Sequence, residues 1–217
     1  MSVDYEVIYK SINDINLENR EIYDNFIRLL IKDKNDKGGK EKKKVNAVKK
    51  KSDGNISSLD YKIHNIERCD IRRCDDFVKI DKLVFHLLLQ LKSLEEKGFG
   101  LLFLQESDII VINDELYLLA NLSQIVPLYK KDNSQFRLVC PTIYPFPKEM
   151  CAPEILEMNA LPFISHHNAI YYSLALLCLR LLKCINLSLD DLQGTKLYYF
   201  LKRCLKKDPN ERLCLYF

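Results

Sequence analysis

The residues of this chain that can do chemistry are few and scattered. Eight cysteines (Cys69, Cys74, Cys140, Cys151, Cys178, Cys184, Cys204 and Cys214) offer disulfide or zinc chemistry. No C-x-x-C pair occurs, and the Cys69/Cys74 spacing has no matching second half, so buried free thiols are the better reading. His166-His167 has no further ligand at fixed spacing and reads as a polar lead into a helix, so no metal is expected. Residues 32–58 form a lysine-rich run with two glycine breaks. Such a run can touch nucleic acid or an acidic partner, or it can be a solvated, mobile loop. Lysines without interleaved aromatics favour the solvated reading.

These groups need a scaffold, and the composition allows one. The chain has 217 residues, 47% hydrophobic and 29% charged, enough for one domain with a sizeable core. Its net charge of +3 is too balanced for a dedicated nucleic-acid binder. The N-terminal MSVDYEVIYK is unlike a signal peptide, and the apolar stretch 169–182 is too short for a membrane span and carries Arg180. An intracellular protein, cytoplasmic or nuclear, with no membrane partner is expected.

Ile22, Phe26, Leu29 and Leu30 make one helical stripe, with Asn16 or Asn19 as its cap. Leu83, Leu87, Leu91 and Leu94 make a second, stopped at Lys97-Gly98. Ile109–Ile112 and Leu116–Leu119 flank Asn113-Asp114-Glu115, which predicts a hairpin. Residues 121–165 hold most of the prolines and read as a long ordered loop with a short helix near Pro153–Met158. Residues 170–185 are apolar almost all round, predicting a helix buried on every side. A last helix spans Lys196–Leu205 and stops before Pro209.

This order, with six short motifs in it, resembles the C-terminal lobe of the protein kinase superfamily over about residues 80–213. Lys97–Val111 lies without a gap over the family's catalytic loop, so that Leu101, Leu102 and Phe103 occupy the H-R-D positions and Asp108 the metal-binding asparagine position. Asn121, Leu122 and Ser123 occupy the D-F-G positions, eighteen residues after Phe103, as in kinases. Cys151-Ala152-Pro153-Glu154 matches A-P-E, Tyr172-Ser173-Leu174-Ala175 matches W-S-L-G, and Lys207-Asp208-Pro209-Asn210-Glu211-Arg212 matches K-D-P-x-x-R. The resemblance implies a fold of α+β class, mainly α: a kinase-like C-lobe over 80–217 after a degenerate N-terminal region, 1–79, with a reduced or missing N-lobe. It also implies a structural ion pair between Glu154 and Arg212, since a planar guanidinium grips a carboxylate through two hydrogen bonds.

Phosphoryl transfer needs a carboxylate to orient the attacking hydroxyl and acidic ligands for Mg²⁺. Phe103 stands at the base position and cannot accept a proton. Asn121 stands at the metal position, where a neutral amide is a poor substitute for a carboxylate. Leu101 and Leu122 fall where kinases stack apolar side chains. At the position of the aspartate that orients the catalytic loop stands Ile170, with Asn168 or His167 as candidate substitutes. Upstream, Ala47-Val48-Lys49 mimics the kinase phosphate-lysine strand, with Gly38-Gly39 before it, and Glu21 lies on the first helix without an evident partner.

The implied function is that of a pseudokinase: a catalytically inactive scaffold or regulatory module that binds a protein partner and needs no cofactor. Ile143, Tyr144 and Phe146, on the activation-segment equivalent, are its candidate partner-binding residues. Two alternatives stand beside it. One is a divergent serine/threonine kinase binding ATP and Mg²⁺ through Lys49 and Asp108. The other is a structural subunit anchored to RNA or an acidic partner through its lysine-rich loop.

Overall fold

The computed structural model describes residues 5–12, 17–42, 61–70, 75–131, 135–141, 147–214 and 216. In chain order the elements are α1 (Tyr5–Ser11), α2 (Leu17–Lys42), β1 (Ile66–Arg68), α3 (Phe77–Glu96), β2 (Phe99–Leu101), β3 (Ile109–Ile112), β4 (Leu116–Leu119), β5 (Ile125–Lys131) and β6 (Gln135–Cys140). Then follow α4 (Pro153–Leu156), β7 (Phe163–His166), α5 (Ala169–Cys184) and α6 (Lys196–Cys204). The fold is α+β, with its strands in two antiparallel sheets.

α3 starts where the Asp76 carboxylate accepts the Lys79 N–H at 2.7 Å. It stops at Gly98, whose φ of 81° suits a residue without Cβ. Its apolar stripe packs on α2, α5 and β4. Three polar side chains of α3, those of His86, Gln90 and Ser93, are buried as well. Gln90, fully buried, donates to the carbonyls of His86 and Tyr117 and accepts the Leu119 N–H, each at 2.9 Å. The Tyr117 N–H donates to His86 Nδ1 at 3.2 Å, which puts the imidazole proton on Nε2. β4 is thus fastened to α3 by hydrogen bonds as well as by packing.

β3 and β4 form the expected hairpin, in register Ile109 opposite Leu119 and Ile112 opposite Leu116. Asn113 and Asp114 turn it with φ of 53° and 55°, a conformation these two residue types tolerate best. The Asn113 side chain also accepts the His64 and Asn65 N–H groups and donates to the Lys62 carbonyl. That holds the approach to β1, which adds to the hairpin as a third strand beside β3.

Three expectations need correcting. First, the loop expected from residue 32 does not begin there: α2 runs on through Lys42 with Gly38-Gly39 inside it. Each of the two glycines costs the helix roughly 1 kcal/mol relative to alanine, and neither ends it. Residues 43–58 lie outside the described residues, as does Asn16, while Asn19 lies within α2.

Second, 121–165 is not a single loop: β5, β6 and β7 within it join β2 in the order β2-β5-β6-β7. Third, α5 is not buried on every side: Arg180, Lys183 and Cys184 are exposed. The other described cysteines are free and buried or half-buried; Cys74 lies outside the described residues. The described N-terminal elements pack with the rest of the fold. Ile8, Ile22, Tyr23, Phe26, Ile27 and Leu30 share one core cluster with α3, the hairpin, α5 and α6.

Candidate functional site

The end of β2 and the loop after it carry the positions matched to the catalytic triplet. Leu101, Leu102 and Phe103 are 1%, 0% and 3% exposed. Leu101 joins the main core, together with Leu122; Leu102 and Phe103 join a smaller cluster with Val126, Leu138 and Ile155. The backbone just beyond is held by α5, though not by the side chains expected. The Ser173 hydroxyl accepts the Leu104 N–H at 2.8 Å and donates to the Leu104 carbonyl at 3.1 Å. Ile170 is buried in the core, His167 Nδ1 lies 3.1 Å from the Phe136 carbonyl, and Asn168 reaches elsewhere.

Asp108 closes a short 3₁₀ turn and is 3% exposed. One carboxylate oxygen accepts the Gln105 N–H at 2.9 Å; the other accepts Asn121 Nδ2 at 2.7 Å. The two residues matched to the kinase metal ligands therefore meet, with acid and amide in exchanged positions. Asn121 Oδ1 is also engaged, by the Ser123 N–H at 3.0 Å and the Ser123 hydroxyl at 2.7 Å. Every one of these oxygens already accepts a hydrogen bond from the protein, and the carboxylate is out of water. The residues do not fit a Mg²⁺–nucleotide, and no phosphoryl-transfer step follows from them. Among the described residues no group of three or more His, Cys, Asp or Glu side chains is placed to hold a metal ion.

Above this pair lies α2. Tyr23, buried, donates its hydroxyl to the Ala120 carbonyl at 2.9 Å, one residue before Asn121. Glu21 has a partner after all, Lys97, at 3.1 Å on the surface.

Burial pushes the Asp108 pKa above its ordinary 3.8, the Asn121 and Gln105 hydrogen bonds opposing the shift. A carboxyl with a raised folded pKa favours folding in its protonated form. Its contribution is fully present below the unfolded value and is lost as pH rises through the folded one. Asp108→Asn should therefore lose most stability, relative to the parent chain, at the acid end of a pH series, and the gap should narrow toward neutral pH. Urea unfolding of both chains across pH 3 to 7 checks this; a gap that widens with pH contradicts it.

The second feature is a latch between α4 and the chain after α6. Arg212, whose side chain is 0% exposed, donates to Glu154 Oε1 at 2.5 Å and Oε2 at 2.8 Å. It also donates to the carbonyls of Lys206 and Lys207, at 2.7 and 2.8 Å. Its guanidinium lies over the Tyr172 ring, 4.8 Å from the centroid. Asn168 Nδ2 donates to the Pro209 carbonyl at 2.5 Å, which draws the start of α5 into the same latch.

Lys49, Ile143, Tyr144 and Phe146 lie outside the described residues. Three contributors were not anticipated: Gln90, Ser173 and the Asn113 side chain. Only Gln90 left a sequence signal, as a polar side chain among the leucines of α3. No helix among the described residues is long and apolar enough to cross a membrane. No family model matches the chain, and no curated protein matches it in sequence.

Proposed function

We propose that the chain is a kinase-like scaffold that does not transfer phosphate and acts by presenting a surface to a protein partner. One observation carries this reading. The positions assigned to catalysis hold buried Leu101, Leu102 and Phe103, with Asp108 spent on Asn121, while the Glu154–Arg212 latch is kept. A polar reaction centre replaced by core packing favours an interaction module over an enzyme.

The strands β5 to β7 and the chain between them supply surface for such a role. Tyr129 on β5 is 68% exposed and Ile164 on β7 is 61% exposed, and Phe136, Leu156 and Leu161 are exposed nearby in sequence. In the strand register Tyr129 faces Arg137, and Arg137 faces His166. Tyr129, Arg137, Ile164 and His166 therefore share one sheet face. Aromatic and aliphatic groups beside an arginine are the composition of binding hot spots.

Two assays on the intact chain test the reading. Labelled ATP with Mg²⁺ or Mn²⁺ should leave no phosphate on the chain or on a general acceptor protein. Tyr129→Asp with Ile164→Asp should abolish capture of the partner that the parent chain retains, without lowering its melting temperature. Phosphate transfer lost in Asp108→Ala would replace the scaffold with an enzyme.

A further inference from the structure

The last helix carries its charge on one face. The stretch from Lys196 to Lys207 reads KLYYFLKRCLKK, with five cations and no acid. Unlike the lysine run at 32–58, it interleaves aromatic rings with its cations. Leu197, Phe200, Leu201 and Cys204 are fully buried and seat α6 in the core. Lys196, Tyr199, Lys202 and Arg203 follow one another at i, i+3, i+6 and i+7, so they share the opposite side of the helix. The first three are exposed and Arg203 is half-buried.

Two of these cations lie against rings rather than carboxylates. Lys202 Nζ is 5.5 Å from the centre of the Tyr198 ring, and the Arg203 guanidinium is 5.9 Å from that of Tyr199. The two rings meet edge to face, 5.3 Å apart. Among the described residues no carboxylate pairs with Lys196, Lys202 or Arg203, whereas Lys206 is already paired with Glu211 at 3.6 Å. Tyr199 is 48% exposed. The face therefore offers three cations without a countercharge beside a ring on which a planar group can stack.

That combination narrows the partner. A bilayer would need an apolar helix face to enter it, and the apolar side of α6 is spent on the core. An acidic peptide matches the charge but leaves the ring unused. A duplex offers phosphates but keeps its base faces stacked on one another. A single strand offers phosphates and open base faces together.

We propose that this face of α6 binds single-stranded RNA, with phosphates on Lys196, Lys202 and Arg203 and one base stacked on Tyr199. RNA loops and ends present such unstacked bases. The proposal does not depend on the scaffold reading, since no side chain of this face belongs to the Asp108–Asn121 pair or to the latch.

Fluorescence anisotropy of the intact chain with a labelled oligouridine of about twelve nucleotides tests this. The expected result is saturable binding that weakens with salt, with a log–log slope of about −2 for three neutralised phosphates of a single strand. Lys202→Gln with Arg203→Gln should weaken binding at least tenfold and bring the slope to about −0.7. Tyr199→Ser should weaken it about tenfold with the slope unchanged, the mark of a lost stack rather than a lost charge. None of the three is among the buried residues of α6, so both variants should melt with the parent chain. No binding, equally tight binding of polyglutamate or of an RNA duplex of the same length, or binding unchanged in both variants, as when the RNA sits on the lysine-rich run instead, would overturn the proposal.

Discussion

Glu154→Ala is expected to lower stability by roughly 3–5 kcal/mol, far more than loss of an ordinary surface ion pair. The Arg212 side chain is fully buried, and Glu154 is its only carboxylate partner among the described residues. Truncating the glutamate leaves a guanidinium out of water, with two backbone carbonyls and a tyrosine ring but no countercharge. That unpaired charge, not the lost attraction, is the larger part of the cost. Replacing both members by apolar residues, Glu154→Leu with Arg212→Met, removes the buried charge. The double variant should therefore lose much less than the sum of the single losses. Urea unfolding of the three variants measures the coupling. Additive losses, or a single loss below about 1 kcal/mol, would reduce the latch to a surface contact.

Phe26→Ala should cost about 3–5 kcal/mol, the range for deleting a buried aromatic ring. Phe26 is 0% exposed and packs edge-on to Tyr23, with ring centroids 6.3 Å apart. It belongs to α2, in the region expected to be a degenerate appendage to the C-lobe-like part. If α2 is instead one wall of the common core, the variant should still unfold in a single transition, with the same midpoint by circular dichroism and by tyrosine fluorescence. An early transition confined to α2, or a loss below about 1 kcal/mol, would return the N-terminal region to the status of an appendage.

What could be read from the residues depended on whether the signal was local and periodic. The α2 and α3 stripes, the β3–β4 hairpin and α6 each announced themselves within about a dozen residues. Glu154 and Arg212, 58 residues apart, were linked only through the order of short motifs. The strands β5 to β7 stayed hidden for identifiable reasons. Pro127 sits inside β5 opposite Phe99, where a proline normally argues against a strand. The sheet exists because Val126, Leu138 and Cys140 bury their side chains against residues remote in sequence, an effect invisible to local patterning.

The polar fastenings were harder still. A serine that grips the Leu104 backbone and an asparagine that reaches Pro209 look in sequence like any other serine or asparagine. Ser173 was already placed in the buried helix, but nothing in its neighbours says that its hydroxyl faces the Leu104 backbone. The exchange of acid and amide between Asp108 and Asn121 was written in the register. Their direct hydrogen bond, which uses up the carboxylate, belongs to the folded chain.

The most direct measurement is the melting temperature of the intact chain with ATP, ADP and GTP, each with and without Mg²⁺. A ligand that binds only the folded state at a hundredfold excess over its dissociation constant adds about 2.7 kcal/mol of stability, easily seen as a shift. If the chain is the proposed scaffold, with Leu101, Leu102 and Phe103 packed into its core, it should show none. A Mg²⁺-dependent rise that Asp108→Ala removes would contradict it, and would mean that the carboxylate now held by Asn121 can be released to a nucleotide-bound metal.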